Sequence, residues 1–414
     1  MSDWRKLSLS DVIERFIDYR GKTPQKIDYG VPLVTAKIVK NGKIEEPKEF
    51  IAERDYDTWM TRGIPEYGDV VITTEAPMGK VAQLKFKGKV ALAQRIITLR
   101  GKSDILDNTF LLYSLQSEEV QNQLFLQTTG TTVQGIKASE LKKIEILLPP
   151  LQEQQKIADI LCSVDEAIEK TEAIIEQTKK VKKGLIQHLL TKGIEHKKFK
   201  KTEIGEIPAE WELVRVSDLT IEHKQGYYTK DNYVEDGVYL IRITDLKNPK
   251  IDFSVMPKLD MDENIYEQFR VDKDDFLFAR SGASIGRYGI VMEDDPKAIF
   301  ASYLIRFKFN NQQVNNRYFG YFYESDVCWK QLKSIIQGSS NPNINANNIK
   351  NLKIALPSLD EQKHIVDIIF SVDEKIRINM LMLQEFQTLK SGLMQSLLTG
   401  EVRVKVEGNE VTQV

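Results

Sequence analysis

The stretch LPPLQEQQKIADILCSVDEAIEK, starting at Leu148, returns 208 residues later as LPSLDEQKHIVDIIFSVDEKIRI. At that offset residues 130–191 and 338–399 align without a gap, and 25 of the 62 positions are identical. The identities include Pro149 and Pro357, Glu153 and Glu361, Gln154 and Gln362, Asp165 and Asp373, and Gly184 and Gly392. Upstream the echo fades but keeps its order: Trp4, Ser10 and Asp11 answer Trp211, Ser217 and Asp218. GDVVITTEAPMG (68–79) answers DDFLFARSGASIG (274–286) with one residue of slip. A period this long lies far outside the roughly 20–50 residues of solenoid repeats. The chain is therefore a tandem duplication of a two-part module, a variable segment followed by a helix.

Each helical segment is free of Gly and Pro, from Gln152 to Lys183 and from Asp360 to Ser391. Apolar residues recur every three or four positions. In the first copy they are Ile157, Leu161, Val164, Ile168, Ile175, Val181 and Leu185; in the second, Ile365, Ile369, Val372, Ile376, Leu383, Leu389 and Leu393. That pattern predicts a long helix with a seam close to the heptad type. About 40 residues at ~1.5 Å rise give a rod of roughly 60 Å. Such a helix leaves its seam bare unless a partner covers it, so the two copies are expected to pack as an antiparallel coiled coil. Ser358 and Glu361 fit a capping box, which also offers a structural role for Glu153 and Glu361.

The variable segments carry short strand-like runs such as GDVVITT, KVAQLKF and RIITLRG, or VYLIRIT, DFLFARS and YLIRFKF, bounded by turn residues. Helical patches follow at 108–124 and 316–332. The expected fold is α+β: two tandem mixed, β-rich domains, each followed by a long helix. The expected divisions are a first domain over 1–148, a helical region over 149–192, a linker over 193–210, a second domain over 211–355, a second helical region over 356–402 and a tail over 403–414. Residues 179–201 hold nine lysines against one acid, Glu195, which suits either a solvated linker or a phosphate-facing strip.

Apolar residues make up 41% and charged residues 29% of the 414-residue chain, an ordinary globular balance. No apolar run is long enough to span a bilayer, and two cysteines, Cys162 and Cys328, are too few for a disulfide framework, which predicts a cytoplasmic protein. A net charge of −2 gives no support to simple charge-driven nucleic-acid binding. Chemistry is absent from the pattern as well. There is no Gly-rich phosphate loop and no recognisable S-adenosylmethionine loop. The nearest approach to the adenine methyltransferase tetrapeptide, SNPN at 340–343, lacks its second proline and its aromatic. His188, His196, His223 and His364 have no metal-ligand spacing. The chain is expected to have no catalytic residues, no metal and no cofactor of its own.

The twice-repeated Leu-Pro-x-Leu-x-Glu-Gln start, the Ser-Val-Asp-Glu that follows it, the Leu-Leu-Thr helix ends and KTEIGEIPAEW at 201–211 resemble the specificity subunit of type I restriction–modification enzymes. RGKTPQ, IPEYGDVVIT and FLFARSGASIG resemble that family's target-recognition motifs, whereas TTEAPMGK departs from the Arg-Ser-Gly-like stretch usual at its position. The resemblance implies two target-recognition domains, each reading half of a bipartite asymmetric DNA site, and helices that space them. It implies as partners double-stranded DNA, two methyltransferase subunits that bind S-adenosylmethionine, and restriction subunits that use ATP and Mg. The competing reading is a coiled-coil adaptor whose β-rich domains bind protein; a fused methyltransferase is a third, which the missing cofactor loop disfavours.

Candidate DNA contacts are polar, long and carried on loops, because Arg and Lys suit guanine, Asn and Gln suit adenine, and hydroxyls and lysines suit phosphate. In the first domain they are Lys22, Thr23, Gln25, Lys37, Thr73, Thr74 and Lys80. In the second they are Tyr227, Tyr228, Thr229, Arg242, Arg280, Ser281, Ser284, Arg287 and Asn343.

Overall fold

The computed structural model describes residues 4–19, 23–40, 42–128, 135–230, 232–280, 284–336 and 343–405. The chain divides into two compact units, Met1–Glu172 with Leu381–Val414, and Ala173–Met380. The two long helices, Leu151–Lys192 and Leu359–Leu398, each contribute to both. Every unit thus contains a sheet domain, the start of the helix that follows it and the far end of the other helix.

In the first unit Arg5–Ser8 pairs antiparallel with Glu145–Leu148, which brings the domain's two ends together where the first long helix begins. An antiparallel four-stranded sheet has the order Ile13–Asp18, Ile96–Gly101, Val70–Thr73, Val81–Gln83. A three-stranded sheet runs Phe50–Ile51, Val31–Val34, Ala91–Leu92, its second pair parallel. Val70–Thr73 is buried along its whole length, as a β-branched run with both faces covered should be. Asp107 caps the helix Asn108–Gln116 by accepting from Thr109 N and Phe110 N, an arrangement that satisfies two otherwise orphaned donors.

The second unit repeats this plan and adds a short pair, Leu246–Lys247 with Lys250–Ile251. Its four-stranded sheet is Thr220–Gln225, Leu304–Phe309, Phe276–Ala279, Tyr288–Ile290, and its three-stranded sheet is Lys258–Leu259, Val238–Ile241, Ala298–Phe300. Glu212–Arg215 closes on Lys353–Leu356. The duplication therefore extends through the variable segments, where the two sequences have little else in common. Residues 193–210 are not a bare linker. They form a hairpin, Phe199–Thr202 with Gly205–Pro208, and bury Ile207 in the core of this unit. Much of the lysine strip is neutralised locally: Lys179, Lys183 and Lys192 pair with Glu176, Asp326 and Glu206.

The helices pack antiparallel, and each unit holds one end of the pairing. In the first, Ile157, Ala158 and Leu161 share a core with Leu397 and Leu398. In the second, Ile365, Val366 and Ile369 share one with Ile186, Leu189 and Leu190. The expected seam needs one correction at matched positions. Val181 and Leu389 are 55% and 49% exposed, and the inward place at that turn belongs to the next residues, Lys182 and Lys390. Lys390 meets Asp165 at 2.6 Å and Lys182 meets Asp373 at 2.8 Å, each ammonium also lying over a ring, Tyr113 or Tyr321. The tyrosines donate to the same two carboxylates. Their aliphatic stems let lysines fill a seam position while the charge is answered at its tip. Burial works against the Lys182 ammonium, but Glu324 and Asp373 more than offset it and hold its pKa above the ordinary range.

The repeated Glu-Gln pair is tied into the sheet domains rather than into a capping box. Gln154 is fully buried; its amide donates to Ile105 O and Pro149 O and its oxygen accepts from Asp107 N. Gln362 does the same with Gln313 O, Pro357 O and Asn315 N. Glu153 accepts from Trp4 Nε1 at 3.1 Å, from Arg403 Nε and Nη2 at 2.8 Å and from Val404 N. Glu361 accepts from Trp211 Nε1 at 2.9 Å and Ile194 N, and pairs with His196 Nε2 at 2.8 Å. Ser358 Oγ does accept from Glu361 N, but the returning half of the box is missing because the carboxylate is spent on the tryptophan. Gly193 and Gly400, at φ +65° and +74°, end the helices and turn the chain onto these knots. A Cβ on Gly193 would stand 2.6 Å from Glu361 Oε1.

Removing either carboxylate strands a buried indole N–H. Glu153→Ala and Glu361→Ala are each expected to cost about 1–3 kcal/mol in urea unfolding. Burial alone would raise the Glu153 carboxyl, but Arg403, Trp4 and the Val404 N–H hold it below its usual value. A depressed carboxyl stabilises above its unfolded pKa of about 4.3, so its share of stability is present at neutral pH and lost as pH falls below that value. Glu153→Gln should flatten that part of the pH–stability profile.

Candidate nucleic-acid interface

Both four-stranded sheets end in the same backbone junction. In the second unit Ala279 N bonds Arg287 O, Arg280 N bonds Tyr303 O, and Ile344 N bonds Arg280 O. In the first unit Thr73 N bonds Lys80 O, Thr74 N bonds Arg95 O, and Ile136 N bonds Thr74 O. Three chain segments thus meet at one sheet end in each unit. Three of the predicted contacts in the second domain, Arg280, Arg287 and Asn343, are brought to that junction. Arg280 is half-buried and its Nε lies 3.5 Å from Asn343 Oδ1; Arg287 and Asn343 are exposed. Ser284 is half-buried beside them, its carbonyl accepting from Arg287 N. Tyr227 joins the same edge, bonding Phe300 O and accepting from Ser302 N, with its ring tilted on Phe269 at 5.2 Å. Tyr228 is exposed and Thr229 half-buried in the loop that continues from it. An arginine, an asparagine and an aromatic on one rim are donors and acceptors of the kind that read base edges.

Arg242 does not belong to that set. Its Nε and Nη2 each lie 3.0 Å from a different oxygen of buried Asp245, which also accepts from Arg242 N. A bidentate pair with one member buried fixes the local turn, so Arg242 is a framework residue. Thr73 and Thr74 are corrections too, at 0% and 2% exposure. Thr73 Oγ1 is taken by Lys80 N, and a side chain without surface cannot touch a duplex. Lys80, half-buried, occupies the place of Arg287, while Thr23, Gln25 and Lys37 are exposed and make none of the junction's backbone bonds. Lys22 and Ser281 lie outside the described residues. The sequence reading missed two exposed side chains at the junctions, Arg95 and Tyr303, which share the 208-residue offset. That offset is the signal that would have paired them.

Asp275, at the other end of the strand that delivers Arg280, is pushed up to about 6 by burial, against Asp272 N, Arg306 and Lys308. It is framework, like its counterpart Asp69, which Arg100 grips at 2.8 Å. Among the described residues no group of His, Cys, Asp and Glu converges as a metal site, and no helix is long and apolar enough to cross a membrane.

The two arginines of the second domain should separate cleanly. Arg242→Ala leaves buried Asp245 without its counter-ion, so unfolding stability is expected to fall by about 2 kcal/mol or more with base preference unaltered. Arg280→Ala is expected to leave urea unfolding within about 0.5 kcal/mol of the parent and to weaken discrimination at one base position. Paired denaturation and DNA-competition measurements check both outcomes.

Comparison with known proteins agrees with this architecture. The family model of the type I restriction modification DNA specificity domain matches twice, at residues 1–180 and 208–385. The MjaVIII specificity subunit of a type I restriction enzyme from Methanocaldococcus jannaschii is 31% identical over 97% of this chain and 94% of its own. The Escherichia coli EcoBI specificity subunit is 26% identical over 66% of this chain and 60% of its own. In fold, the S subunit of a type I restriction–modification system from M. genitalium matches with a TM-score of 0.61 over 96% of both chains at 17% identity. A duplicated sheet domain on a duplicated helix, matched twice over by one family model, places this chain in the type I restriction modification DNA specificity family, among the specificity subunits of type I restriction enzymes.

Proposed function

We propose that this chain reads a bipartite, asymmetric DNA sequence, one half through each sheet domain, and scaffolds two methyltransferase subunits and the restriction subunits of a type I enzyme. The observation that carries the reading is the contrast within the duplication. The backbone junctions at 73–95 and 279–303 repeat bond for bond, while the side chains they present differ. Two readers with one frame and different side chains suit two different half-sites. The chain itself contributes no bond chemistry in this reading. The methyltransferase partners would bring S-adenosylmethionine and flip the target adenine out of the stack; ATP and Mg would belong to the restriction partner.

The helices offer a surface for those partners. Ile174, Val181 and Ile378 on the second unit, and Leu381, Met382 and Leu389 on the first, are large apolar side chains between 41% and 55% exposed. A partner seated on the helices would cover these side chains, as interaction surfaces cover contiguous apolar patches. Phosphate neutralisation would then come largely from basic partners, since this chain has a net charge of −2. The adaptor reading gains nothing from the family match.

Exchanging residues 1–148 for the equivalent domain of a relative tests the proposal. Sequencing of methylated adenines should show one half of the recognised motif altered and the other intact. A change in both halves, or in neither, contradicts a modular reader.

A further inference from the structure

The two junctions place arginine on different strands. In the second domain Arg280 follows the strand Phe276–Ala279, and its backbone partner across the junction is Tyr303. In the first domain Thr74 takes Arg280's place and is buried, and its partner across the junction is Arg95. Arg95 is also one of the few non-glycine residues, among those described, with a positive φ, at +73°. Side chains with a Cβ rarely adopt that region, and glycine would fit it without strain. Instead the position holds a long cation, and an outlier of this kind at a rim is where function is sought. The Arg95 side chain is 49% exposed, with its Nε 3.7 Å from an oxygen of Glu75. That is a loose surface pair, unlike the two-point grip of Asp245 on Arg242, and it leaves the guanidinium fork available.

We propose that Arg95 is the guanine-reading residue of the first domain. It takes over from the opposite strand the part that Arg280 takes in the second, and Glu75 positions its guanidinium over the sheet end. A guanidinium meets guanine O6 and N7 with two parallel bonds, and a carboxylate at this distance orients the fork without burying it. The assignment deepens the DNA-reading proposal and rests on it.

The test uses the assembled methyltransferase complex and duplexes carrying each base in turn across the recognised site. With Arg95→Ala, discrimination at one guanine position should fall roughly 5- to 150-fold, the equivalent of about 1–3 kcal/mol. That position should lie in the half-site that changes when residues 1–148 are exchanged, and the other half-site should be unaffected. Arg95→Gly should lose the same discrimination while unfolding at or above the parent's urea midpoint, since glycine relieves the positive φ; this separates reading from folding. Unaltered discrimination in both variants overturns the assignment, as does a first half-site without guanine. Equal weakening on every duplex also overturns it, because that marks a phosphate contact. If the parent complex discriminates among no duplexes, the DNA-reading proposal itself fails. If domain exchange alters the half-site and Arg95→Ala does not, only the arginine assignment does.

Discussion

A carboxylate holding a buried indole N–H is the constraint on which each unit depends. Glu153 and Glu361 sit in the first turn of the long helices, and each ties together two remote pieces of chain: a tryptophan at the start of its own domain and the segment just beyond the end of the other helix. The neighbouring glutamine locks the same turn to the loop that starts the domain's main helix. An unpaired carboxylate in such surroundings would be costly, so the knot forms with all its partners or not at all. This explains why Leu-Pro-x-Leu-x-Glu-Gln appears twice in a chain whose variable segments have diverged.

The helix pairing follows the same logic. Lys182 and Lys390 are identical in the two copies, as are Asp165 and Asp373 and the tyrosines that donate to them. Each lysine crosses to the aspartate of the other helix, so the antiparallel direction satisfies both pairs. Between them, from 169 to 181, no residue matches its counterpart 208 positions on. Identity is retained at the carboxylate knots and at the lysine–aspartate pairs, and dropped between them even where the helix is buried, as at Thr171 and Ile175. The junction side chains have diverged in the same way, on a backbone that has not.

Periodicity and self-similarity made most of this legible. Helix extents, the two-module plan and the antiparallel pairing all follow from spacing, because a long seam needs a partner and a gapless repeat needs equal lengths. What escaped was whatever depends on one residue's environment. Val181 and Leu389 fit an apolar seam by type, but the lysines after them reach the aspartates better. Thr73 and Thr74 have the chemistry of a phosphate contact and the burial of a core strand, which sequence cannot separate. Glu361 fits a capping box by spacing, yet a tryptophan 150 residues away wins its carboxylate. Arg95 sits inside a strand-like run, and only the junction's backbone bonds bring it to the rim.

The central claim is that two different domains on one frame read two different half-sites. Methylome sequencing of a host carrying the partner subunits, with and without this chain, tests it most directly. One adenine-methylated motif, in two unlike parts separated by an unspecified gap, is expected with the chain and lost without it. A motif that persists without the chain, or one that is uninterrupted, would mean that the two domains do not read two half-sites.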